Sequence, residues 1–336
     1  MMPSPRRAPA LLACRSETEP WLLTAAMRSR LDALVDVVLT LREGEDWRPH
    51  ATALRDVEVV VGSWGTPRFT PELLAAMPAL RIVCYAAGSV RSFVTPEFWR
   101  RGILLTNAAA ANARPTATFA EAMIVLSLKQ TWHYLRSPRT DWAYLQDTRS
   151  SGVHGATVGI IGLSRVGRDV VRRLQREELR ILAHDPTLTA GEGARLGVEL
   201  TTLPDLFARS DVVSLHAPLL PETAGMVTGE LLRRMGSHTT FVNTARGAIV
   251  KEEELVTVLR ERPDLTAVLD VTDLEPAPAD SPLRQLPNVV LTPHLAGARH
   301  REIELLMRLA LDELERYLRG EPLQFPLTAA AAELQA

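Results

Sequence analysis

Three short segments, in order along the chain, supply residues of the types that a hydride-transfer site can use: Arg246 in NTARG, Glu275 in DVTDLEP and His294 in LTPHLAG. As hydride reaches a carbonyl carbon, negative charge builds on its oxygen, where it must be stabilised and then quenched by a proton. A histidine can pass that proton near neutral pH, a carboxylate can orient the ring and keep it basic, and an arginine can hold a carboxylate through two parallel bonds. His294 is therefore the expected acid/base, Arg246 a residue able to hold a carboxylate, and Glu275 one able to orient the histidine. Taken singly, each has a plainer use: a solvated arginine, a capping glutamate, a histidine bonded to a backbone carbonyl. The reading rests on the ordered set.

Upstream, VGIIGLSRVG at 158–167 places Gly162, Ser164 and Gly167 at the positions of GxGxxG, directly after an apolar strand and at the start of the helix RVGRDVVRRLQ. That context points to a dinucleotide. Gly162 permits the tight turn and Gly167 the close packing of helix on strand, while Ser164 stands where a glycine lets the backbone approach the pyrophosphate. Its hydroxyl either pushes the cofactor outward or bonds a phosphate oxygen, and the second is the preferred expectation. Arg165 can neutralise phosphate charge at the positive end of the helix dipole. Asp185 ends the next strand, 23 residues after Gly162, where an acid would bind the adenosine ribose hydroxyls and repel a 2′-phosphate, favouring NAD over NADP. Its plainer alternative is a turn residue before Pro186.

The elements that must carry these residues form two βα series. Before residue 108, apolar runs (ALLAC, VDVVLT, VEVVVGSW, LRIVCYAAG, ILLTN) alternate with helical stretches at 17–34 and from Thr70-Pro71 onward, a cap followed by proline. A long helix is expected over Thr116–Leu135, and with the polar stretch 136–152 it reads as a domain crossing. Seven further apolar runs then begin at 157, 180, 198, 211, 239, 265 and 288. Such alternation implies parallel sheets covered by helices on both faces, here two doubly wound α/β domains. A last amphipathic helix, Arg301–Leu318, is expected to return to the first domain and is followed by an Ala-rich tail.

At 336 residues and 46% hydrophobic, the chain has material for two cores, and a formal net charge of −2 argues against a nucleic-acid partner. Cys14 and Cys84 lie in apolar runs and read as buried free thiols in a reducing compartment. The apolar stretch near the N-terminus is too short for a signal segment and no run is long enough to span a membrane, so a cytoplasmic location is expected. The histidines other than His216 and His294 lack ligand-like spacing with Cys, Asp or Glu, and no metal is expected.

With VGIIGLSRVG, SLHAPLLPETAGMV at 214–227, FVNTARGAIV at 241–250, AVLDVTDLEP at 267–276 and LTPHLAGA at 291–298 in order, the chain from about residue 60 to 320 resembles the D-isomer-specific 2-hydroxyacid dehydrogenases. The resemblance implies a Rossmann NAD-binding domain, 108–298, inserted into a flavodoxin-like substrate domain, 1–107 plus 299–336, and a homodimer formed through the cofactor domain. It implies hydride exchange between NAD(H) and a small D-2-hydroxy or 2-oxo acid. It adds Val166, His216, Ala217, Pro218, Thr223, Thr244 and Ala245 to the cofactor contacts, with Arg246 and His294 also beside the cofactor, and places Asp270 near the nicotinamide carboxamide. It also implies that backbone N–H groups of Ala87, Gly88 and Ser89 take the substrate carboxylate.

Where family members often carry an acid or amide after that glycine, this chain has GSVRSF. Arg91 is then either a contact for a second anionic group or, the preferred reading, a solvent-facing arginine at a helix start. Ser63 and Trp64 follow the third strand and are expected to face the cleft, with Trp64 limiting substrate size. Two other functions stay open: a dehydrogenase of phosphite or a phosphonate substrate, and a non-catalytic NAD(H) sensor like the co-repressors on this fold.

Overall fold

The computed structural model describes residues 7–136 and 152–333. The chain divides into two compact units, one formed by 1–112 with 298–336 and the other by 113–297. Most of the polar stretch read as a crossing lies outside the described residues. The first division falls inside a helix, after Asn112, because that helix already starts at Ala109.

In the first unit, β1 (Ala8–Cys14), β2 (Val35–Arg42), β3 (Val59–Gly62), β4 (Ile82–Tyr85) and β5 (Leu104–Asn107) form one parallel sheet in the order β2-β1-β3-β4-β5. The interior strands β3 and β4 are buried at every residue, whereas the edge strand β2 alternates towards solvent, as edge position dictates. The helical stretch expected over 17–34 is two helices, α1 (Glu19–Leu22) and α2 (Ala25–Leu34). Thr24 restarts it by accepting the Met27 N–H at 3.4 Å, a cap that interrupts the pattern. The helices α3 (Ala51–Leu54), α4 (Pro71–Ala76) and α5 (Pro96–Arg100) follow, α4 capped by Thr70, which accepts the Leu73 N–H.

The expected helix over Thr116–Leu135 is α6 (Ala109–Leu128) and α7 (Thr131–Arg136). Between them Gln130 takes a left-handed φ of 53°, and its side-chain amide donates to the His238 carbonyl at 2.9 Å. That tertiary bond supports a break that the apolar pattern does not show.

The second unit holds the seven-stranded parallel sheet: β6 (Thr157–Ile161), β7 (Arg180–His184), β8 (Glu199–Leu200), β9 (Val212–Leu215), β10 (Thr240–Asn243), β11 (Thr266–Leu269) and β12 (Val289–Leu291), in the order β12-β11-β10-β9-β6-β7-β8. Connections run to opposite sides of β6, so a switch point lies beyond its C-terminal end. Between strands run α8 (Arg165–Leu174), α9 (Ala190–Arg195), α10 (Leu203–Arg209), α11 (Gly229–Arg233) and α12 (Glu252–Glu261). Separate apolar clusters cover the two faces of this sheet.

The closing helix α13 (Ile303–Leu318) buries Ile303, Leu306, Met307, Ala310, Leu311 and Leu314 in the first unit, against α2 and β4. A short α14 (Ala329–Glu333) ends the described chain. Cys14 and Cys84 are buried free thiols, and burial pushes them up to about 11 and about 12, far from the reactive thiolate range. Among the described residues no helix is long and apolar enough to cross a membrane.

Candidate active site

The glycine loop leaves β6 at Gly162, whose φ is +89°. A Cβ there would stand 2.6 Å from the Ala217 Cα, and one on Gly167 would stand 2.0 Å from the Gly162 carbonyl oxygen. His216 and Ala217, directly after β9, are thus the floor on which the loop rests, and both glycines are required by packing before any ligand is considered. Val166 lies in the first turn of α8, partly buried against the apolar cluster on one face of the sheet. The first turn of α8 presents backbone N–H groups that no intrahelical carbonyl can take, the usual seat for a phosphate.

Ser164 caps α8, but its hydroxyl donates to the His216 carbonyl at 3.0 Å. The expected bond to a phosphate therefore competes with one the protein already makes. Asp185 accepts the Leu163 N–H on Oδ2 at 2.8 Å, and the Thr187 N–H and hydroxyl on Oδ1 at 2.9 and 2.6 Å. Partial burial opposes its ionisation, but the bonds from Thr187 and Leu163 and the nearby Arg168 prevail and hold its carboxyl below the ordinary range. Arg168, which the motif does not single out, also donates from Nε to the Leu163 carbonyl at 2.8 Å.

His216 is buried, which pushes it down to about 4, so the ring is neutral at pH 7. Its Nε2 lies 2.9 Å from Ser214 Oγ. Its Nδ1 and the Thr244 hydroxyl are buried without a hydrogen-bond partner among the described residues. Thr223 closes the loop after β9, donating to the Pro218 carbonyl at 2.6 Å and accepting the Leu220 N–H at 2.8 Å.

Arg246, Glu275 and His294 follow the C-terminal ends of β10, β11 and β12, which are neighbours in the sheet. The Arg246 turn is shaped by Asn243, which donates to the Arg246 carbonyl at 3.0 Å and accepts the Ala245 N–H at 2.9 Å. Sequence reasoning passed over Asn243, although an amide two residues before such a turn is a known device for folding backbone onto a side chain. Arg246 Nη1 reaches the Ala245 carbonyl at 2.6 Å. Gly247 is buried, and a Cβ on it would overlap the Thr272 carbonyl carbon at 1.9 Å, so the Arg246 segment lies directly against the segment leading to Glu275.

His294 Nδ1 lies 2.5 Å from Glu275 Oε2. A carboxylate can only accept, so Nδ1 carries the proton of this bond and Nε2 is left to exchange one with a ligand. His294 adopts a left-handed φ of 50°, and its own N–H donates to the Asp270 carbonyl at 2.9 Å. Asp270 is buried, and its carboxylate turns into this same loop: Oδ1 accepts the Thr292 hydroxyl at 2.6 Å and the Leu295 N–H at 2.8 Å, and Oδ2 the Ala296 N–H at 2.8 Å. Expected beside a carboxamide, Asp270 here moulds the backbone that presents His294.

In the first unit, Ser63 is buried rather than facing a cleft, and its hydroxyl donates to the Ala86 carbonyl at 3.1 Å. It ties the end of β3 to the loop after β4. Trp64 is partly buried against the apolar clusters on both faces of the sheet. The N–H groups of Ala87, Gly88 and Ser89 donate to no acceptor among the described residues, and a Cβ on Gly88 would meet nothing within 4 Å. No contact within the fold calls for a glycine at position 88. Arg91 is exposed, as the preferred reading had it, but its guanidinium donates to the Glu333 carbonyl at the end of α14.

Residues 122–296 match the family model described as D-isomer specific 2-hydroxyacid dehydrogenase, NAD binding domain. The chain is 35% identical over 272 residues to a glyoxylate reductase of Korarchaeum cryptofilum, covering 80% of this chain and 82% of that one. It is 35% identical over 227 residues to a D-3-phosphoglycerate dehydrogenase of Mycobacterium leprae, covering 68% of this chain but 43% of that longer one. Its fold is like that of holo D-mandelate dehydrogenase from Rhodotorula graminis, with a TM-score of 0.78 at 22% identity over 96% of this chain and 98% of that one. A parallel sheet with its polar residues gathered beyond the strand ends, a glycine loop built to its tolerance and this degree of likeness lead to one conclusion: the chain belongs to the D-isomer specific 2-hydroxyacid dehydrogenases, NAD-dependent enzymes acting on CH–OH donors.

Proposed function

We propose that this protein interconverts a small 2-oxo acid and its D-2-hydroxy acid, with His294 as the proton carrier. The observation that supports this most is the 2.5 Å contact between His294 Nδ1 and Glu275, which fixes the tautomer and leaves Nε2 for the substrate oxygen. Bound NADH supplies the hydride. Gly162, Arg165, Val166, Gly167 and the first turn of α8 would hold its pyrophosphate and Asp185 its adenosine ribose. The buried Nδ1 of His216 and hydroxyl of Thr244, together with Ser164, Ala217, Pro218, Thr223, Ala245 and Asp270, belong to the surrounding shell.

In the reductive direction, His294 gives the Nε2 proton to the C2 oxygen while Glu275 balances the charge passing through the ring. In the oxidative direction, neutral His294 takes the hydroxyl proton. Arg246 holds the carboxylate by a bidentate fork and draws electron density from the carbonyl. In the first unit, the N–H groups of Ala87, Gly88 and Ser89, which have no acceptor among the described residues, are suited to receive a carboxylate.

The test is loss of NADH absorbance with a panel of 2-oxo acids, glyoxylate, hydroxypyruvate and phenylpyruvate among them. Turnover of at least one is expected, and His294→Ala should lower kcat at least about 100-fold while leaving NADH affinity little changed. NAD reduction by phosphite in place of these, or NADH binding with no turnover of any acid, would overturn the reading. We further propose a homodimer through the cofactor-binding unit, where Leu135 on α7 stands 69% exposed. Sedimentation of the intact protein checks it, a monomer counting against it.

A further inference from the structure

The chain after α13 does not trail off the first unit but is built into it. Glu313, a carboxylate 1% exposed, accepts the N–H groups of Gln324 and Phe325 at 3.0 and 2.9 Å. Pro326 then pairs with Thr106 as an antiparallel bridge, and the Leu327 N–H donates to the Leu105 carbonyl at 2.8 Å. This arm therefore zips along β5. The residue that ends β5, Asn107, donates from its amide to the Gly88 carbonyl at 2.8 Å. Leu327 and Ala332 share an apolar cluster with Ala87, Val90 and Phe93, and Arg91 clasps the Glu333 carbonyl.

N–H groups offered to an anion are held in line by what packs behind the loop that carries them. We propose that the C-terminal arm is that support: residues 321–333 position the 87–89 loop for the substrate carboxylate, and Arg91 is the clasp that closes arm on loop. This rests on the 2-oxo acid reading above. It also gives Arg91 a positioning role in place of contact with a second anionic group.

The test compares intact protein, Arg91→Ala, Arg91→Lys and a chain ending at Thr328. Arg91→Ala and the truncation should each raise KM by roughly tenfold, because the cost of ordering the loop moves into binding. The rise should be equal for monoanionic hydroxypyruvate and dianionic phosphohydroxypyruvate, with kcat and NADH affinity nearly unchanged, and Arg91→Lys should recover part of it. The double change should be no worse than the truncation alone.

A KM rise confined to the dianionic acid, or no rise on truncation, would overturn the proposal. If the shortened chain does not fold, Arg91→Ala and its lysine rescue decide. Amide hydrogen exchange over 86–94 reads the same brace without turnover: exchange should quicken in Arg91→Ala, and unchanged exchange counts against the arm. Lack of turnover by the intact protein would instead count against the 2-oxo acid reading alone.

Discussion

Asp185 and Asp270 stand directly after strands of the same sheet, and each accepts backbone N–H groups from the loop of a neighbouring strand. Yet they serve differently. Asp185 is partly exposed and shares its oxygens between Leu163 and Thr187, so one carboxylate both braces the glycine loop and stays partly open to solvent. Asp270 is 2% exposed, and its carboxylate bonds are directed at the His294 loop. Position after a strand brings an acid to the ligand end of a parallel sheet, but burial decides whether it meets the ligand or the protein.

The contrast breaks most severely at the buried acid. Asp270→Ala would leave the buried Ala296 N–H unpaired, at about 1–3 kcal/mol, and free the part-buried Leu295 N–H as well. The expected result is a lower Tm together with a loss of kcat approaching that of His294→Ala, since His294, proposed as the proton carrier, loses its seat. Normal kcat with only weakened NADH binding would return Asp270 to a ligand role. At the partly exposed acid the effect should be smaller and fall on the cofactor: Asp185→Asn should raise the NADH Kd about tenfold and narrow the preference over NADPH, measured by fluorescence titration.

Asp185 also predicts a pH dependence. Its folded pKa is depressed, so its stabilising contribution is present above the ordinary carboxylate range and is lost as pH falls through the folded value. The Tm advantage of the natural protein over Asp185→Asn should therefore shrink between about pH 7 and about pH 3. A constant difference would mean the bonds to Leu163 and Thr187 do not depend on charge. The smallest change is expected at Ser164→Gly, which removes one hydroxyl-to-carbonyl bond beside the same loop, worth about 1 kcal/mol at most. NADH Kd should move by less than about fivefold; a much tighter complex would show that the serine side chain holds the cofactor off.

Much of the architecture was legible because apolar runs and turn residues report locally on strands and caps. All twelve strands among the described residues lie in or against runs singled out from the sequence, although the run at 198 yields only the two-residue β8. The pairing of His294 with Glu275 was legible through the order of motifs. The burial of Ser63, the inward turn of Asp270 and the use of Ser164's proton were not, because a side chain's direction is set by backbone that arrives from elsewhere in the chain. The break at Gln130 depends on the carbonyl of His238, far along the sequence. The arm was hidden for a related reason: an Ala-rich tail has little periodicity, and its anchor, Glu313, sits on a helix whose other buried residues are apolar.

The absence of a side chain at Gly247 has a mechanical meaning. With the Arg246 segment pressed onto the backbone at Thr272 and Asp273, and Asp273 held in turn by Glu252, the segments that carry Arg246 and Glu275 are keyed together like two teeth of one gear. Neither can be displaced without displacing the other. Adaptation to a larger or smaller acid is thereby pushed outward, to residues that can change size without touching that key.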